Sequence, residues 1–332
     1  MTNHPTTKSK ENNGGISVIK PGLLTTVQDL GREGYQQFGL GTSGVMDSYA
    51  LQVANVLVGN WRDEAALEMT VSGPFLRAEE DMVVAFTGGN MKPVIAGEPV
   101  SMWKSYYVQA GEEIRFGHAG NGVRTYMSVH GGIDVPVVMG SKSTAVRAGI
   151  GGFEGRELRK DDRLKVGKRT GDLGVHGGRK VMAEYIPDYG KTARVRVVMG
   201  PQQEAFEEES LERFLQDEYR VSPQSDRMGY RLEGDVPLSH LADKGADIYS
   251  DAIAPGSIQV PGDGQPIILL ADRQTTGGYA KIATVISVDL WKVAQLPPGG
   301  TITFETVDVG TAQKLWQEQE DILIQLSSYG PR

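Results

Sequence analysis

Residues 271–283 read ADRQTTGGYAKIA, preceded by the apolar run Ile267, Ile268, Leu269 and Leu270 and followed by another from Val285 to Val288. An apolar run that stops at Asp272 and Arg273, crosses Thr275, Thr276, Gly277 and Gly278, and resumes after Lys281 makes a polar loop on a β scaffold. Two adjacent glycines let the backbone come close to a ligand, and Arg273, Gln274, Thr275, Thr276, Tyr279 and Lys281 supply donors. The set suits a small anionic or amide-bearing molecule. A polar hairpin with solvated charges has the same composition, and spacing alone leaves both readings open.

Outward from this stretch the chain keeps a β grammar. Its 43 glycines and 16 prolines fall between short apolar runs, as in a mainly β protein with many turns. At 332 residues, with roughly 100 to 200 residues per domain, two domains are expected. An internal echo supports the division. Trp103, Lys104, Gly111, Ile114 and Phe116 are matched at one constant offset by Trp291, Lys292, Gly299, Ile302 and Phe304. Thr87, Gly88 and Gly89 return as Thr276, Gly277 and Gly278 with the offset changed by one, and Gly34 and Tyr35 match Gly229 and Tyr230 more weakly. So long a period belongs to a duplicated domain, not to a solenoid. The expected organisation is a disordered tail over 1–15, a first domain over 16–190 and a second over 191–332, with the polar stretch 168–192 as linker.

Strands are expected at 16–19, through 66–116 and again from 194. Residues 25–47 read as a long structured loop, of a length that is often functional. After it, Asp47 or Ser48 can cap a helix in which Leu51, Ala54 and Val58 recur at helical spacing until Gly59 stops it, covering an open end of a barrel or sheet. Two more helices are expected. Over 202–219, Phe206, Leu211, Phe214 and Leu215 form one stripe, and over 310–326 Leu315, Trp316, Ile322, Leu323 and Leu326 form another.

Composition excludes several functions. With 42 acidic and 34 basic side chains, a net charge of −8 and no basic stripe, nucleic acid is not the main partner. The absence of cysteine removes disulfides, thiolate metal sites and cysteine nucleophiles together. The five histidines, His4, His118, His130, His176 and His240, lack metal-ligand spacing, so no metal is expected. His130, before Gly131 and Gly132, either faces a cleft or is packed. The first fifteen residues lack the apolar core of a signal peptide, and no run approaches the roughly 20 apolar residues that span a bilayer, which makes a cytoplasmic protein without a membrane partner the expectation.

Motifs are weaker. GSKST at 140–144 lacks the glycine-lysine pair and the earlier glycine of a phosphate loop and reads as a structural turn. LGTSGVMDS has the wrong spacing for a nucleophile elbow, which leaves Ser43 as a hydrogen-bonding loop residue. The remaining polar set is Asp29, Arg32, Asn90 and Arg227. A ligand held between Asn90 and Lys281 would be met from both halves.

Taken together, TTVQDLGREGYQQFGLGTSGVMD, ALEMTVSGP, GSKST, SDRMGYRLEG, GSIQVPGDGQPIILLADRQTTGGYAKIATVI and the Pro-Pro-Gly at 297–299 resemble the biotin-dependent carboxyltransferase family. That family embraces the carboxyltransferase part of urea amidolyase, or allophanate hydrolase subunit 2, and free-standing chains like the C subunit of 5-oxoprolinase (KipA). A free-standing chain of this length is similar to the latter. The resemblance implies two tandem cyclophilin-like β-barrel domains with a few covering helices, in agreement with the repeat.

For a chain of the 5-oxoprolinase type the resemblance implies ATP-dependent opening of the lactam 5-oxo-L-proline to L-glutamate. The work would be done with the A subunit and the KipI-like B subunit of a heteromeric hydrolase, not by this chain alone. ATP would be used by the complex, and whether it binds this chain stays open. In the urea enzyme a carboxyl group passes from carboxybiotin to an amide nitrogen, and biotin enters only on that reading; Met91 and Lys92, followed by Pro93, are not a biotinylation motif. A third reading is a KipA-type regulatory protein that antagonises a KipI-like inhibitor of a sporulation histidine kinase.

On the hydrolase reading Asn90 and Thr276 orient the amide, Arg273 and Lys281 neutralise carboxylate or phosphate, and Arg227 assists from its loop. Asp272 is a base or an anchor for Arg273, a plain ion pair being the competing explanation. Gln274, Thr275, Gly277, Gly278 and Tyr279 complete the substrate-binding stretch, and Ser43 and Asp47 are its loop residues.

Overall fold

Short strands separated by glycine turns build a mainly β molecule, which a computed structural model describes over residues 15–168 and 171–328. In the first half the chain runs β1 (Ile16–Lys20), β2 (Leu24–Gln28), α1 (Ser48–Val58), β3 (Ala66–Thr70), β4 (Phe75–Ala78), β5 (Met82–Asn90) and β6 (Val94–Ile95). It continues through β7 (Glu98–Pro99), β8 (Lys104–Val108), β9 (Glu113–Arg115), β10 (Asn121–Val129), β11 (Ile133–Asp134) and β12 (Arg163–Val166). These strands form a seven-stranded sheet, β11-β12-β1-β4-β9-β6-β7, and a five-stranded sheet, β2-β3-β10-β5-β8. The sheets pack face to face: Val18, Leu76 and Ile114 of one meet Met69, Val84, Phe86 and Met127 of the other in one core.

The five-stranded sheet is covered on both sides. Met82, Val84 and Phe86 of β5 point to the inter-sheet core, whereas Val83 and Ala85 point the other way, against α1. Double burial is why β5 reads as one apolar run instead of an alternation. Helix α1 begins where the Asp47 carboxylate accepts the Ala50 N–H at 2.9 Å and ends at Gly59, whose φ of 77° is the left-handed conformation that suits glycine. All its residues after Ser48 are buried, between the sheet and α4 (Val309–Ser327), so it is a central layer and not only a cover. Each fully buried leucine or valine there contributes about 1.5–3 kcal/mol.

In the second half β13 (Thr192–Met199), α2 (Glu208–Gln216), β14 (Tyr219–Val221), β15 (Gly229–Glu233), β16 (Asp247–Ala252), β17 (Ser257–Gln259) and β18 (Ile267–Leu269) precede β19 (Thr276–Tyr279), β20 (Lys281–Val285), α3 (Leu290–Gln295) and β21 (Thr301–Thr306). Seven of these strands close a barrel, β13-β20-β17-β18-β15-β14-β21, sealed by the parallel pairing of β13 with β21. Strands β16 and β19 form a separate two-stranded ribbon. The fold is therefore mainly β with two tandem β domains, the second a closed barrel and the first a pair of facing sheets. No helix among the described residues is long and apolar enough to cross a membrane.

Local expectations need correction where pairing overrides pattern. The loop expected over 25–47 begins as β2, paired along β3, and is irregular only from Asp29. The chain resumes a strand at Lys281 as expected, in β20, and the apolar run 285–288 leaves it at Val285 for a 3-10 turn. The helix expected over 202–219 contracts to α2, because Phe206, Glu207 and Asp217 are extended and Tyr219 starts β14. In α4, capped by Asp308, Leu323 is buried but Trp316 is 51% exposed, off the buried side.

The repeat is real only in part. Gly111 and Gly299 occupy turns at φ 90° and 78°, and the buried Ile114 and Ile302 follow on β9 and β21. Trp103, however, precedes strand β8 whereas Trp291 lies in α3, and Thr87–Gly89 sit inside β5 whereas Thr276–Gly278 sit in the ribbon. The weak match of Gly34 and Tyr35 with Gly229 and Tyr230 pairs an irregular segment with a buried strand. The two tryptophans do meet one residue, Tyr189, at ring-centroid distances of 6.4 and 5.5 Å.

The expected linker, of which 169–170 lie outside the described residues, is a strap. The Ser105 N–H donates to Arg179 O at 2.8 Å and the Val181 N–H to Trp103 O at 3.1 Å, extending the edge of β8. Within the strap His176 stacks on His130 at 4.4 Å and lies over Gly59, where a Cβ would come within 2.4 Å of its ring. His130, 2% exposed with Nδ1 2.7 Å from Val58 O, is packed and does not face a cleft. Of the expected tail, 1–14 lie outside the described residues, while Gly15 accepts a hydrogen bond from the Glu79 N–H.

Two tests follow from this packing. Leu323→Ala should lower the unfolding free energy by about 2–5 kcal/mol, and Trp316→Ala by less than about 0.5 kcal/mol, in urea titrations. Burial, then His130 and Arg179, push the His176 imidazole below the usual histidine range. A histidine kept neutral by the fold adds stability above its unfolded pKa of about 6.5, which is lost as pH falls below it, because the unfolded chain takes up the proton first. The Val181 amide should therefore lose exchange protection between about pH 7 and about pH 5, and His176→Phe should remove that change.

Candidate functional site

The two halves meet around Arg227, on the turn before β15 that Asp226 shapes by accepting the Met228 N–H at 2.7 Å. Its guanidinium donates from Nε to Asp272 Oδ2 at 2.8 Å, and from Nη2 to Asp272 Oδ1 at 3.2 Å and Gly44 O at 2.6 Å. Nη1 donates to Glu68 Oε1. Glu68, on β3, also accepts from the Met46 N–H and the Tyr126 hydroxyl, both at 2.8 Å. One cation thus joins Asp272 of the second half to Glu68 and Gly44 of the first. Against the penalty of burial, Glu68 and Asp272 hold the guanidinium above its usual range.

Gln295 of α3 makes the second tie. Its Oε1 accepts from the Val123 and Arg124 N–H groups at 3.0 and 2.9 Å, and its Nε2 donates to Asp47 Oδ2 at 3.0 Å. Asp47, fully buried, also accepts from the Tyr189 hydroxyl at 3.0 Å. Burial pushes its carboxyl up despite these bonds. It is the expected cap of α1 and also ties the two halves together.

The segment 29–46 is fixed at both ends. Asp29 accepts from the Ser141 and Ser143 hydroxyls and the Lys142 N–H, so the GSKST turn cradles a carboxylate of its own chain and is the structural turn expected. Further on, Gln36 Nε2 donates to Ile253 O at 3.0 Å and Thr275 O at 2.9 Å, and Arg273 Nη1 donates to Thr42 Oγ1 at 3.1 Å. Ser43, buried at φ 51°, makes no side-chain hydrogen bond among the described residues, contrary to the role expected of it.

The residues singled out in the sequence divide into a buried layer and an exposed one. Arg273 is 4% exposed, with Nε on Ile253 O at 3.1 Å and Nη1 also on Leu270 O at 3.3 Å. It has no carboxylate partner among the described residues, and burial pushes it down to about 10. Lys281, 3% exposed, opens β20 and donates to Asp251 Oδ2 at 2.7 Å and Ala252 O at 3.2 Å. Asp272 anchors Arg227, not Arg273, so the ion-pair explanation holds. Gly277 serves close packing, since a Cβ there would lie 2.6 Å from Gln259 Nε2 and Ile253 Cδ1.

Gln274, Thr276 and Tyr279 are exposed, the latter two on strand β19 and not in a loop. Thr275 contributes its carbonyl to Gln36, and Gly278 lies on the same ribbon. Asn90, exposed at the end of β5, accepts the Lys92 N–H at 2.8 Å and pairs with Asn121, while Lys281 faces Asp251 and Ala252. Each therefore has its own partners within its own half. Sequence reading missed Glu68, Gln36, Thr42 and Gln295. A signal existed for Glu68, a lone carboxylate inside the apolar strand ALEMT.

Chemically, the exposed layer offers neutral amide and hydroxyl groups, and beneath it Arg273 carries a charge that no carboxylate among the described residues balances. Such a surface suits a small molecule with an amide and an anionic group. Among the described residues no acidic or histidine cluster could hold a metal ion.

A family model for the carboxyltransferase domain, subdomain A and B, matches residues 38–306. The chain is 38% identical to the C subunit of 5-oxoprolinase from Escherichia coli, over 94% of this chain and 97% of that one. It is 37% identical to the corresponding 5-oxoprolinase chain of Haemophilus influenzae, with the same shares, 94% and 97%. The crystal structure of urea amidolyase from K. lactis superposes with a TM-score of 0.88 at 32% identity, covering 94% of this chain but 20% of that one.

The geometry around Arg227 makes one substitution decisive. Arg227→Met should destabilise the fold by about 3–5 kcal/mol, because it strands the buried Glu68 and the half-buried Asp272 carboxylates. Adding Glu68→Gln and Asp272→Asn should recover much of the loss in the same urea titration.

Proposed function

The chain belongs to the family of carboxyltransferase domains with subdomains A and B, and on that premise we propose that it is the C subunit of an ATP-dependent 5-oxoprolinase, opening 5-oxo-L-proline to L-glutamate together with the A and B subunits. One observation carries the reading. The match runs over 97% of the length of relatives that bear that name, whereas the chain spans a fifth of the urea amidolyase structure.

The surface supports the same reading. A lactam is a poor electrophile until its oxygen is phosphorylated; water then adds at the carbonyl carbon, the C–N bond breaks with a proton going to nitrogen, and a second water releases phosphate from the resulting acyl phosphate to leave the carboxylate. Throughout, donors are needed where charge gathers on oxygen. Gln274 and Thr276 supply an amide and a hydroxyl at the surface, and Arg273 supplies the unbalanced charge that draws the substrate carboxylate. Lys281 and Arg227 act behind them, holding the ribbon and the seam. A biotin-dependent carboxyl transfer to an amide is the second reading, supported by the likeness to urea amidolyase, and it needs a biotinylated partner.

Glutamate formation from 5-oxoproline and ATP separates the two. It is expected only when the chain is mixed with both candidate partner chains, the A and B subunits. Gln274→Ala and Thr276→Ala should each cut kcat/KM by about tenfold or more, as losing one hydrogen bond of about 1.5–3 kcal/mol to developing charge does, without a change in melting temperature. No glutamate in any mixture, with carboxylation of urea once a biotinylated partner is supplied, would sink the hydrolase reading.

A further inference from the structure

The glycine run GIGGFEG forms one wall of a cleft of about 450 Å³ in the first half, with β11 and β12 contributing the other. Pro136, Val138, Ile150 and Phe153 give it an apolar side. Arg163 and Lys165 give it a charged one: two residues apart on β12, they share a face, are exposed, and make no ion pair among the described residues. Of the two lining carboxylates, Glu154 pairs with Arg156, and Asp134 stands opposite Lys165 in the strand register. The lining is thus balanced in formal charge, with its two cations together on β12.

Two features of the run itself point to an anion. Arg32, wholly buried, lies against it, so that a Cβ on Gly151 would come within 2.6 Å of Nη2. Its Nε donates to Val138 O at 3.3 Å and its Nη2 to Ser143 O at 2.7 Å, but Nη1 has no hydrogen-bond partner among the described residues. Burial pushes this guanidinium below its usual range, with Asp29 and Asp272 opposing. The backbone supplies further donors: the Gly152 and Gly155 N–H groups are spent on Lys142 O and Gly151 O, whereas those of Gly151, Phe153 and Glu154 have no partner among the described residues.

Unspent backbone amides beside two cations that make no ion pair among the described residues recognise phosphoryl oxygens, and an adjoining apolar wall recognises a planar organic group. We propose that this cleft binds a nucleoside phosphate, its phosphoryl end on Arg163, Lys165 and the amides of the glycine run, its base against Ile150 and Phe153. The inference does not rest on the 5-oxoprolinase reading, and binding by the full chain without partners tests it separately from turnover.

Calorimetric titration of the full chain with ADP, inorganic phosphate and adenosine provides the test. ADP should bind saturably and more tightly than either fragment. Arg163→Ala with Lys165→Ala should weaken ADP binding at least about tenfold at an unchanged melting temperature, the scale expected for charge-assisted hydrogen bonds. Arg220→Ala, on β14 of the barrel, should leave it as it was. Absence of saturable ADP binding, or an affinity untouched by the double substitution, would overturn the proposal; equal affinities for phosphate and ADP would overturn its nucleoside part.

Discussion

One guanidinium sets the relation between the two halves. Arg227 leaves water almost completely, which is unfavourable by several kcal/mol for an isolated ion, and is stable there because carboxylates from both halves surround it. Glu68 cannot be separated from Arg227 without stranding a charge on β3, and Asp272 cannot be separated without stranding one just past the end of β18. An apolar seam of the same area would tolerate sliding. A charge that needs partners on both sides fixes the register, and Gln295 repeats the device by bonding the backbone of β10 and the cap of α1 at once.

That register is what assembles the surface. Gln36 and Thr42 come from the first half, Arg273 and Thr275 from the second, and they share hydrogen bonds close along the chain to Gly44, which Arg227 holds. The arrangement keeps charge beneath and neutral groups outside. Donors fixed in a dry second layer need little reorganisation when a substrate develops charge, and they stay stronger than they would be in water. It also makes Arg273 and Lys281 poor probes of chemistry, since replacing either disturbs packing before it touches a ligand.

Much of the fold was legible because its causes are local. Asp47 and Gly59 delimit α1 by capping rules, and β5 declares itself by an apolar run bounded by turns. The failures are equally physical. Trp291 repeats Trp103 in sequence but lies in a helix, since a shared dipeptide does not carry the backbone pairing that makes β8 a strand. Trp316 has the spacing of a buried residue, yet α4 turns Ile322, Leu323 and Leu326 of the same stripe inward and leaves the tryptophan exposed. For the site, composition singled out 271–283, but what its charges and that of Arg227 do depends on partners far along the chain: Asp251 for Lys281, Glu68 for Arg227, Thr42 for Arg273. No window of sequence contains those pairs.

The measurement that bears most directly on a site shared by both halves is hydrogen–deuterium exchange on the chain assembled with its candidate partner chains, with and without 5-oxoproline and ATP. Protection should rise on substrate addition in residues 36–44 and 274–279 together, since each segment forms one side of the same surface. Protection confined to one of the two segments, or appearing only elsewhere, would contradict a site built across the Arg227 seam.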